Sequence, residues 1–194
     1  IHGHAPRNVK HFRGMPVEFP LRYLDFACGT GRVLSFMGQY FEDRTGVDVS
    51  AGMLEVAKRK VSARFIAGNI VEDETLLGGE KFDVITCFRL FLNLENRNRQ
   101  LILKALRRYL SNGGYLIVNN HMNRYSILGI IAFLLRALHI YLPKAEAKKR
   151  GKRGIIGTMS EVEFRTILSE CGYEVEKIYR FTLFPGHNSL MLYL

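Results

Sequence analysis

Cysteine is scarce in this sequence of 194 residues, which contains three. Cys28, Cys87 and Cys171 are far apart, are odd in number and form no Cys-x-x-Cys pair. This spacing indicates neither a zinc site nor a framework of disulfides. A reducing, cytoplasmic setting is therefore expected, and no signal peptide is visible.

Acidic residues are also few, with 18 Asp and Glu against 28 Lys and Arg, for a net charge of +10. Such an excess favours an anionic partner, for example nucleic acid, acidic lipid headgroups or an acidic substrate. The alternative is a solvated basic surface. The hydrophobic fraction of 47% is enough for one domain with a full core.

No apolar run reaches the ~20 residues that a membrane-spanning helix needs. The longest, residues 126–142, is interrupted by Arg136 and His139. It is expected to form a buried or lid helix, with an interfacial helix that touches lipid as the alternative. The basic run 144–153 that follows suits an anionic membrane surface, phosphate contacts on RNA or a solvated loop.

The first twenty residues are the least regular part of the chain. They contain His2 and His4, but no carboxylate or Cys lies near this pair in the sequence. No metal site is therefore expected. We predict an irregular N-terminal segment at 1–20 and one domain at 21–194.

Strand and helix patterns alternate from Leu21 onward, which favours an α/β fold with a parallel sheet. A short turn at 185–188 predicts that the last strand is antiparallel to the one before it. The predicted strands are 21–26, 45–48, 64–70 with its exit loop, 82–87, 115–118, 173–184 and 189–194. The predicted helices are 32–41, 51–60, 96–110 and a capped helix from Ser160 to Gly172, and Asn112-Gly113-Gly114 is predicted to end the helix at 96–110.

A turn with little side-chain bulk, Cys28-Gly29-Thr30-Gly31, follows the first strand. Because Gly has no Cβ, backbone at such a turn can press against a ligand. Asp48 ends the second strand, where an acid can accept both hydroxyls of a ribose; the alternative is an acid that favours a helix dipole. An NAD-type motif fits poorly, because its third Gly would fall at Leu34.

The motif Asp25-x-Ala27-x-Gly29-x-Gly31 resembles the first motif of the class I S-adenosylmethionine-dependent methyltransferases, with Ala27 where the first Gly is common. The order of the later elements resembles that family as well. The resemblance implies a three-layer sandwich with a seven-stranded, mostly parallel sheet, an antiparallel C-terminal hairpin strand and helices on both faces. A helical and basic insertion is expected at about 123–158.

S-adenosylmethionine is the cofactor that the resemblance implies, with S-adenosylhomocysteine as the product. The family usually has an Asp where Asn69 stands, and the amide oxygen of Asn can still accept from an adenine amino group; the alternative is a turn-forming Asn. The residues expected to hold the cofactor are Asp25, Ala27, Cys28, Gly29, Gly31, Asp48, Val49, Met53, Asn69, Ile70 and Cys87.

The implied reaction is an in-line methyl transfer that requires no metal. His121, just past the fifth strand, is the best candidate for a base because a His titrates near neutral pH. Tyr125 is a weaker candidate. Arg89 could bind an anionic group of the acceptor or pair with a nearby acid.

A small-molecule or lipid-like acceptor is favoured, because the longest variable stretch is apolar. An RNA methyltransferase is the alternative that the charge suggests, although no Asn-Pro-Pro-Tyr-like tetrapeptide follows the fourth strand. A non-catalytic module that binds S-adenosylmethionine is left open by Ala27 and Asn69. A cytoplasmic location is expected, with peripheral contact to an anionic membrane left open.

Overall fold

The computed structural model describes residues 10–12, 15–17, 21–91, 94–121, 159–182 and 188–193. The strands of its main sheet are β3 (Arg22–Phe26), β4 (Asp43–Asp48), β5 (Arg64–Ala67), β6 (Phe82–Cys87), β7 (Leu110–His121), β8 (Lys177–Thr182) and β9 (Asn188–Tyr193). The helices are α1 (Arg32–Met37), α2 (Ala51–Lys58), α3 (Asn96–Tyr109) and α4 (Glu161–Glu170).

The main sheet has the strand order β5-β4-β3-β6-β7-β9-β8. The five strands from β3 to β7 pair in parallel, whereas β9 is antiparallel to both β7 and β8. The expected α/β fold with a mostly parallel sheet is thus confirmed. From β3 the chain moves outward to β4 and later returns to its other side at β6, and this reversal creates a crevice at the carboxyl ends of the two central strands.

The core lies between the central strands and α3 and α4. Leu24, Ile85 and Leu116 are fully buried on three neighbouring strands, and Leu106 of α3 packs in the same cluster. Phe91 and Phe164 join the helical side to this cluster, with ring centroids 5.7 Å apart. Burial of each side chain of this size stabilises the folded state by about 1.5–3 kcal/mol. These contacts therefore fix the central strands beneath the crevice.

The first helix is shorter than the predicted 32–41. It ends at Met37, and a 3-10 turn, Gly38–Tyr40, follows. The guanidinium of Arg44 donates to the carbonyl oxygen of Gly38, and a Cβ at Gly38 would lie 3.1 Å from Arg44 Cδ. The α-helix therefore ends, and the 3-10 turn begins, where the Arg44 side chain of the next strand approaches the backbone.

The prediction that Asn112-Gly113-Gly114 ends a helix is wrong. These residues lie within β7, which is longer than the predicted strand 115–118. Phe82 pairs with Leu110 and Val84 with Tyr115, so the register shifts between them. Gly113 has a φ of +74°. Its left-handed backbone therefore serves an irregularity in a strand and not a helix terminus.

The helix that begins after Ser160 has the predicted capping box. Ser160 Oγ accepts from the backbone N–H of Glu163, and the Glu163 carboxylate accepts from the backbone N–H of Ser160. The strand predicted at 173–184 begins only at Lys177. The Tyr173 hydroxyl donates to the carbonyl oxygen of Leu103 at 2.9 Å, so the preceding residues are bound to α3 and not to the sheet.

Two short strands, β1 (Lys10–Phe12) and β2 (Met15–Val17), pair antiparallel within the segment predicted to be irregular. A strand of three residues is too short for its hydrophobic alternation to be recognised.

The predicted insertion at about 123–158 lies outside the described residues. Within the described part of the chain, no helix has the length and apolar character that a bilayer crossing requires.

Ion pairs close the amino edge of the sheet. Arg22 Nε lies 2.8 Å from Asp43 Oδ2, and the same guanidinium pairs with Glu80. Arg64 reaches the other oxygen of Glu80 at 2.8 Å. Asp83 accepts from the backbone N–H of Arg22. The polar groups at this edge are thereby paired with one another.

Candidate functional site

The crevice at the carboxyl edge of the sheet brings together the loops that follow β3, β4 and β6. The turn after β3 has three residues with left-handed backbone: Ala27 at φ +56°, Gly29 at +55° and Gly31 at +76°. The backbone N–H of Cys28 donates to the carbonyl oxygen of Val47 at 3.1 Å, which joins the turn to β4. Ala therefore occupies a conformation that is sterically costly for any residue but Gly.

Two glycines let neighbouring elements approach this turn closely. A Cβ at Gly31 would lie 3.0 Å from the Ala57 Cβ of α2, and a Cβ at Gly46 would lie 3.0 Å from Cys28 Sγ. The Cys28 side chain thus packs against β4, and burial raises the pKa of its thiol to about 12. Cys28 contributes its backbone to the turn and is not a thiolate.

Asp48, the last residue of β4, connects the turn to the next helix. Its Oδ2 accepts from the backbone N–H of Gly29 at 2.8 Å, and its Oδ1 accepts from that of Ser50 at 2.9 Å. The Ser50 side chain caps α2. A carboxylate has about four acceptor positions, so each oxygen of Asp48 can still accept one further hydrogen bond.

Exposed apolar side chains lie beside Asp48. Val49 is 71% exposed and Met53 is 48% exposed. The sulfur of Met53 is the nearest atom to the position that a Cβ of Gly29 would take, at 3.7 Å. Large apolar side chains left open beside a carboxylate are suited to a ligand with an apolar face and a polar rim.

Asn69 has the turn-forming geometry. Its Oδ1 accepts from the backbone N–H of Val71 at 3.1 Å, and its Nδ2 donates to Glu72 at 2.9 Å. Ile70 is fully buried, so its side chain belongs to the core. The loop after β5 is therefore preformed, and Asn69 keeps one free acceptor position on its amide oxygen.

A buried polar chain that the sequence did not reveal lies beneath the turn. Thr86 Oγ1 donates to Asp25 Oδ1 at 2.7 Å and accepts from the Tyr23 hydroxyl at 2.7 Å. Asp25 Oδ2 is buried and has no hydrogen-bond partner within the described residues. Burial raises the pKa of Asp25 to about 7, and the nearby charge of Asp48 adds to this.

The loop after β6 has the second non-glycine residue with left-handed backbone, Arg89 at φ +62°. Its backbone N–H donates at 2.7 Å to Asn119 Oδ1, from a buried side chain on β7. The only sign of Asn119 in the sequence was an amide at the end of an apolar strand. Cys87 is fully buried and its pKa is raised, so it is not a nucleophile.

Two of the three predicted catalytic residues have no described side chain. His121 is the last residue of β7, where its backbone pairs with Ser189. Tyr125 lies outside the described residues, as do His2 and His4. In the ranges that the structure describes, no three His, Cys, Asp or Glu residues are grouped so that they could hold a metal ion.

Comparison with known proteins agrees with this geometry. Residues 24–114 match the family described as a methyltransferase domain, and these residues include the turn, Asp48 and the loop after β6. No curated protein sequence matches the chain.

Solved structures of methyltransferases share the fold. One from Methanosarcina mazei, described as S-adenosylmethionine-dependent, has a TM-score of 0.69 at 17% identity, over 91% of this chain and 93% of that one. Magnesium protoporphyrin IX methyltransferase from Synechocystis, with bound S-adenosylhomocysteine, has a TM-score of 0.67 at 16% identity, over 89% and 73%.

The family match covers the residues that build the crevice, and the structural relatives show that the sheet is the one on which this kind of domain is built. By its matched domain and its fold the chain thus resembles the class I, Rossmann-like methyltransferases, and S-adenosylmethionine is the cofactor that this similarity implies.

Proposed function

We propose that the protein transfers the methyl group of S-adenosylmethionine to a small-molecule or lipid-like acceptor by in-line displacement. The observation that carries this proposal is the hydrogen bond from the backbone N–H of Gly29 to Asp48 at the carboxyl edge, with Val49 and Met53 exposed beside it. This site combines a carboxylate that can accept from a diol, a turn without side-chain bulk and an apolar wall.

The residues present fit the cofactor. Asp48 would accept from both ribose hydroxyls through the positions that Gly29 and Ser50 leave free. Val49 and Met53 would cover the flat faces of the adenine. The remaining acceptor position of Asn69 would read its amino group, although the side chain already serves the turn.

The amino-acid tail of the cofactor would lie over the turn at Gly29, close to the buried carboxyl of Asp25. Ala27 narrows this approach by one methyl group relative to Gly, but its backbone has the conformation that Gly would have. We therefore propose that Ala27 preserves the turn. The binding role of Cys87, whose side chain is buried, remains a prediction.

When bound, the cofactor supplies an electrophilic methyl group on a sulfonium. The protein's part is to hold the donor and the acceptor in line, and well-oriented reactants gain up to about 7–11 kcal/mol in this way. An acceptor that must lose a proton needs a base, and we propose His121 for this role because it ends the strand beside β6. Tyr125 is the weaker candidate.

The acceptor class is inferred from the apolar stretch 126–142, which comes after β7 in the sequence. The same stretch and the basic run 144–153 would suit peripheral contact with an anionic membrane. We also propose that the protein is a three-layer sandwich with helices on both faces of the sheet. The hairpin of β8 and β9 would then complete the seven-stranded methyltransferase sheet.

RNA is the second candidate acceptor, and the exposed face of α3 favours it. This helix contains no acidic residue, and Arg97, Lys104 and Arg108 are exposed on it. Three cations at helical spacing can contact successive phosphates. Arg108 is already engaged by Glu74 at 3.1 Å, which weakens this alternative.

Labelled S-adenosylmethionine distinguishes these functions. The protein is incubated with a cell extract that is afterwards divided into lipid, RNA, protein and small-molecule fractions. Label in the lipid or small-molecule fraction is expected, whereas label in RNA would establish the second function. Calorimetric binding of S-adenosylmethionine without transfer to any fraction would indicate a non-catalytic module.

A further inference from the structure

Arg89 follows β6 and lies between the turn after β3 and the end of β7. Cys87 pairs with Phe26 on one side and with Val118 on the other. Arg89 lies two residues beyond Cys87, and its neighbours at this edge are Ala27, which follows β3, and Asn119 near the end of β7. A side chain at this position belongs to the edge at which the methyl group is transferred, on the side away from the ribose carboxylate.

The backbone of Arg89 is held in a costly conformation. A φ of +62° is rare for a residue with a long side chain, and the buried amide of Asn119 fixes it through a hydrogen bond of 2.7 Å to the backbone N–H. Conformations of this kind persist only where the surroundings determine them, and they cluster at functional sites.

The guanidinium of Arg89 has no ion pair or hydrogen bond within the described part of the chain. The residue is exposed, and neither acid of the crevice pairs with it: Asp25 accepts from Thr86, and Asp48 accepts from two backbone N–H groups. The basic groups at the amino edge, Arg22 and Arg64, are by contrast paired with acids.

We infer that Arg89 determines specificity by binding an anionic group, a carboxylate or a phosphate, of the methyl acceptor. A guanidinium binds either group through two parallel hydrogen bonds. Asn119 is the positioning residue, because its amide holds the backbone from which Arg89 extends. This inference rests on the proposed function and narrows its acceptor to an anionic small molecule or an anionic lipid.

The test begins with the acceptor. An extract freed of RNA by nuclease is separated on an anion-exchange resin before the assay, and the retained part is divided by organic extraction into lipids and water-soluble anions. Each fraction then receives the protein and labelled S-adenosylmethionine. Transfer only in a retained fraction is expected, and the fraction that is labelled identifies lipid or free anion as the source.

Variants then test the residue. Arg89→Gln should lower transfer to the retained fraction by about 10- to 100-fold, since bonds between charged groups are worth this much, and Arg89→Lys should restore part of it. Arg89→Gly should resemble Arg89→Gln, because it removes the cation while relieving the backbone. Lys60→Gln removes an exposed cation just beyond the end of α2 and should leave transfer unchanged.

Asn119→Asp retains an acceptor for the Arg89 N–H and Asn119→Leu does not. The first should keep most of the transfer, and the second should raise the acceptor concentration needed for half-maximal rate more than it lowers the maximal rate. A purely structural role would instead lower folding stability without this difference.

Several results would overturn the inference. These are transfer confined to the unretained fraction, transfer to RNA in an untreated extract alone, or an unchanged rate in Arg89→Gln. Calorimetry with S-adenosylmethionine separates the two levels of the proposal: a wild-type protein that does not bind it refutes the proposed function, whereas normal binding with an unaffected Arg89→Gln refutes only the role of Arg89.

Discussion

The two edges of the same parallel sheet are built in opposite ways. At the amino edge Arg22, Asp43, Arg64 and Glu80 pair with one another. At the carboxyl edge there are left-handed residues, exposed apolar side chains and a buried carboxyl oxygen without a partner among the described residues. The charged groups of the amino edge are paired with one another, whereas the carboxyl edge has hydrogen-bond acceptor positions without a partner among the described residues. This difference is expected when only the carboxyl edge binds a ligand.

The largest effect should follow from removing the carboxylate of the open edge. Asp48→Ala would take away the proposed ribose acceptor and leave two backbone N–H groups unpaired. Hydrogen bonds to charged groups contribute about 1.5–3 kcal/mol each, so affinity for S-adenosylmethionine should fall by at least about 100-fold. Isothermal calorimetry measures this.

Glu80→Gln is the matched control, because it removes an acid that also accepts from two partners but lies at the amino edge. Its affinity for the cofactor should equal that of the wild type, with a loss of stability of no more than about 1 kcal/mol. Equal loss of affinity in both variants would show that the two edges do not differ in function.

Gly31→Ala should have the next largest effect. The added Cβ would lie 3.0 Å from Ala57 Cβ, and the φ of +76° disfavours any side chain. Together these should lower the free energy of unfolding by about 2–3 kcal/mol, measured by urea denaturation.

Gly52→Ala is the control for this substitution, since nothing lies within 4 Å of the added Cβ at this position in α2. It should raise stability by about 0.5–1 kcal/mol, because Ala is the better helix former. A Gly31→Ala protein as stable as the wild type would mean that the turn and α2 are not closely packed.

The pH dependence of stability tests the buried carboxyl of Asp25. Its pKa is raised from 3.8 to about 7 by burial, so the folded state binds a proton more tightly than the unfolded state does. The resulting stabilisation is complete below the unfolded pKa and is lost as the pH rises through the folded one.

Asp25→Asn should remove this dependence. The variant should be more stable than the wild type at about pH 8, by on the order of 2 kcal/mol, and the difference should shrink toward about pH 4. Urea denaturation at several pH values measures it. A wild-type curve parallel to that of the variant would show that Asp25 titrates in its ordinary range.

Ala27→Gly should have the smallest effect, and it is expected to stabilise. A left-handed Ala costs about 1–2 kcal/mol of stability, which Gly would recover. Gly also raises the entropy of the unfolded chain, which lowers stability by about 0.4–1 kcal/mol. A net gain of about 0.5 kcal/mol should appear in thermal or urea unfolding. A loss would show that the Ala27 methyl group contributes packing worth more than the strain.

Local patterns were sufficient for the elements on which the crevice depends. The strands at 82–87 and 21–26 and the start of α2 agree with the expected positions to within one residue, because apolar runs and a capping Ser act over few residues. Gly113 was misassigned because a left-handed residue serves a helix end and a strand irregularity equally well, and only the pairing of Phe82 with Leu110 separates the two.

The sequence by itself determined the alternation of strands and helices, the small residues of the turn and the presence of Asp48 at a strand end, because each depends on neighbours along the chain. The tertiary structure alone decided that Thr86 bonds to Asp25 and that Asn119 holds Arg89, contacts that span 61 and 30 positions. Such pairs form only when β6 enters between β3 and β7, since strand order is set by burial of the whole sheet and not by any one segment.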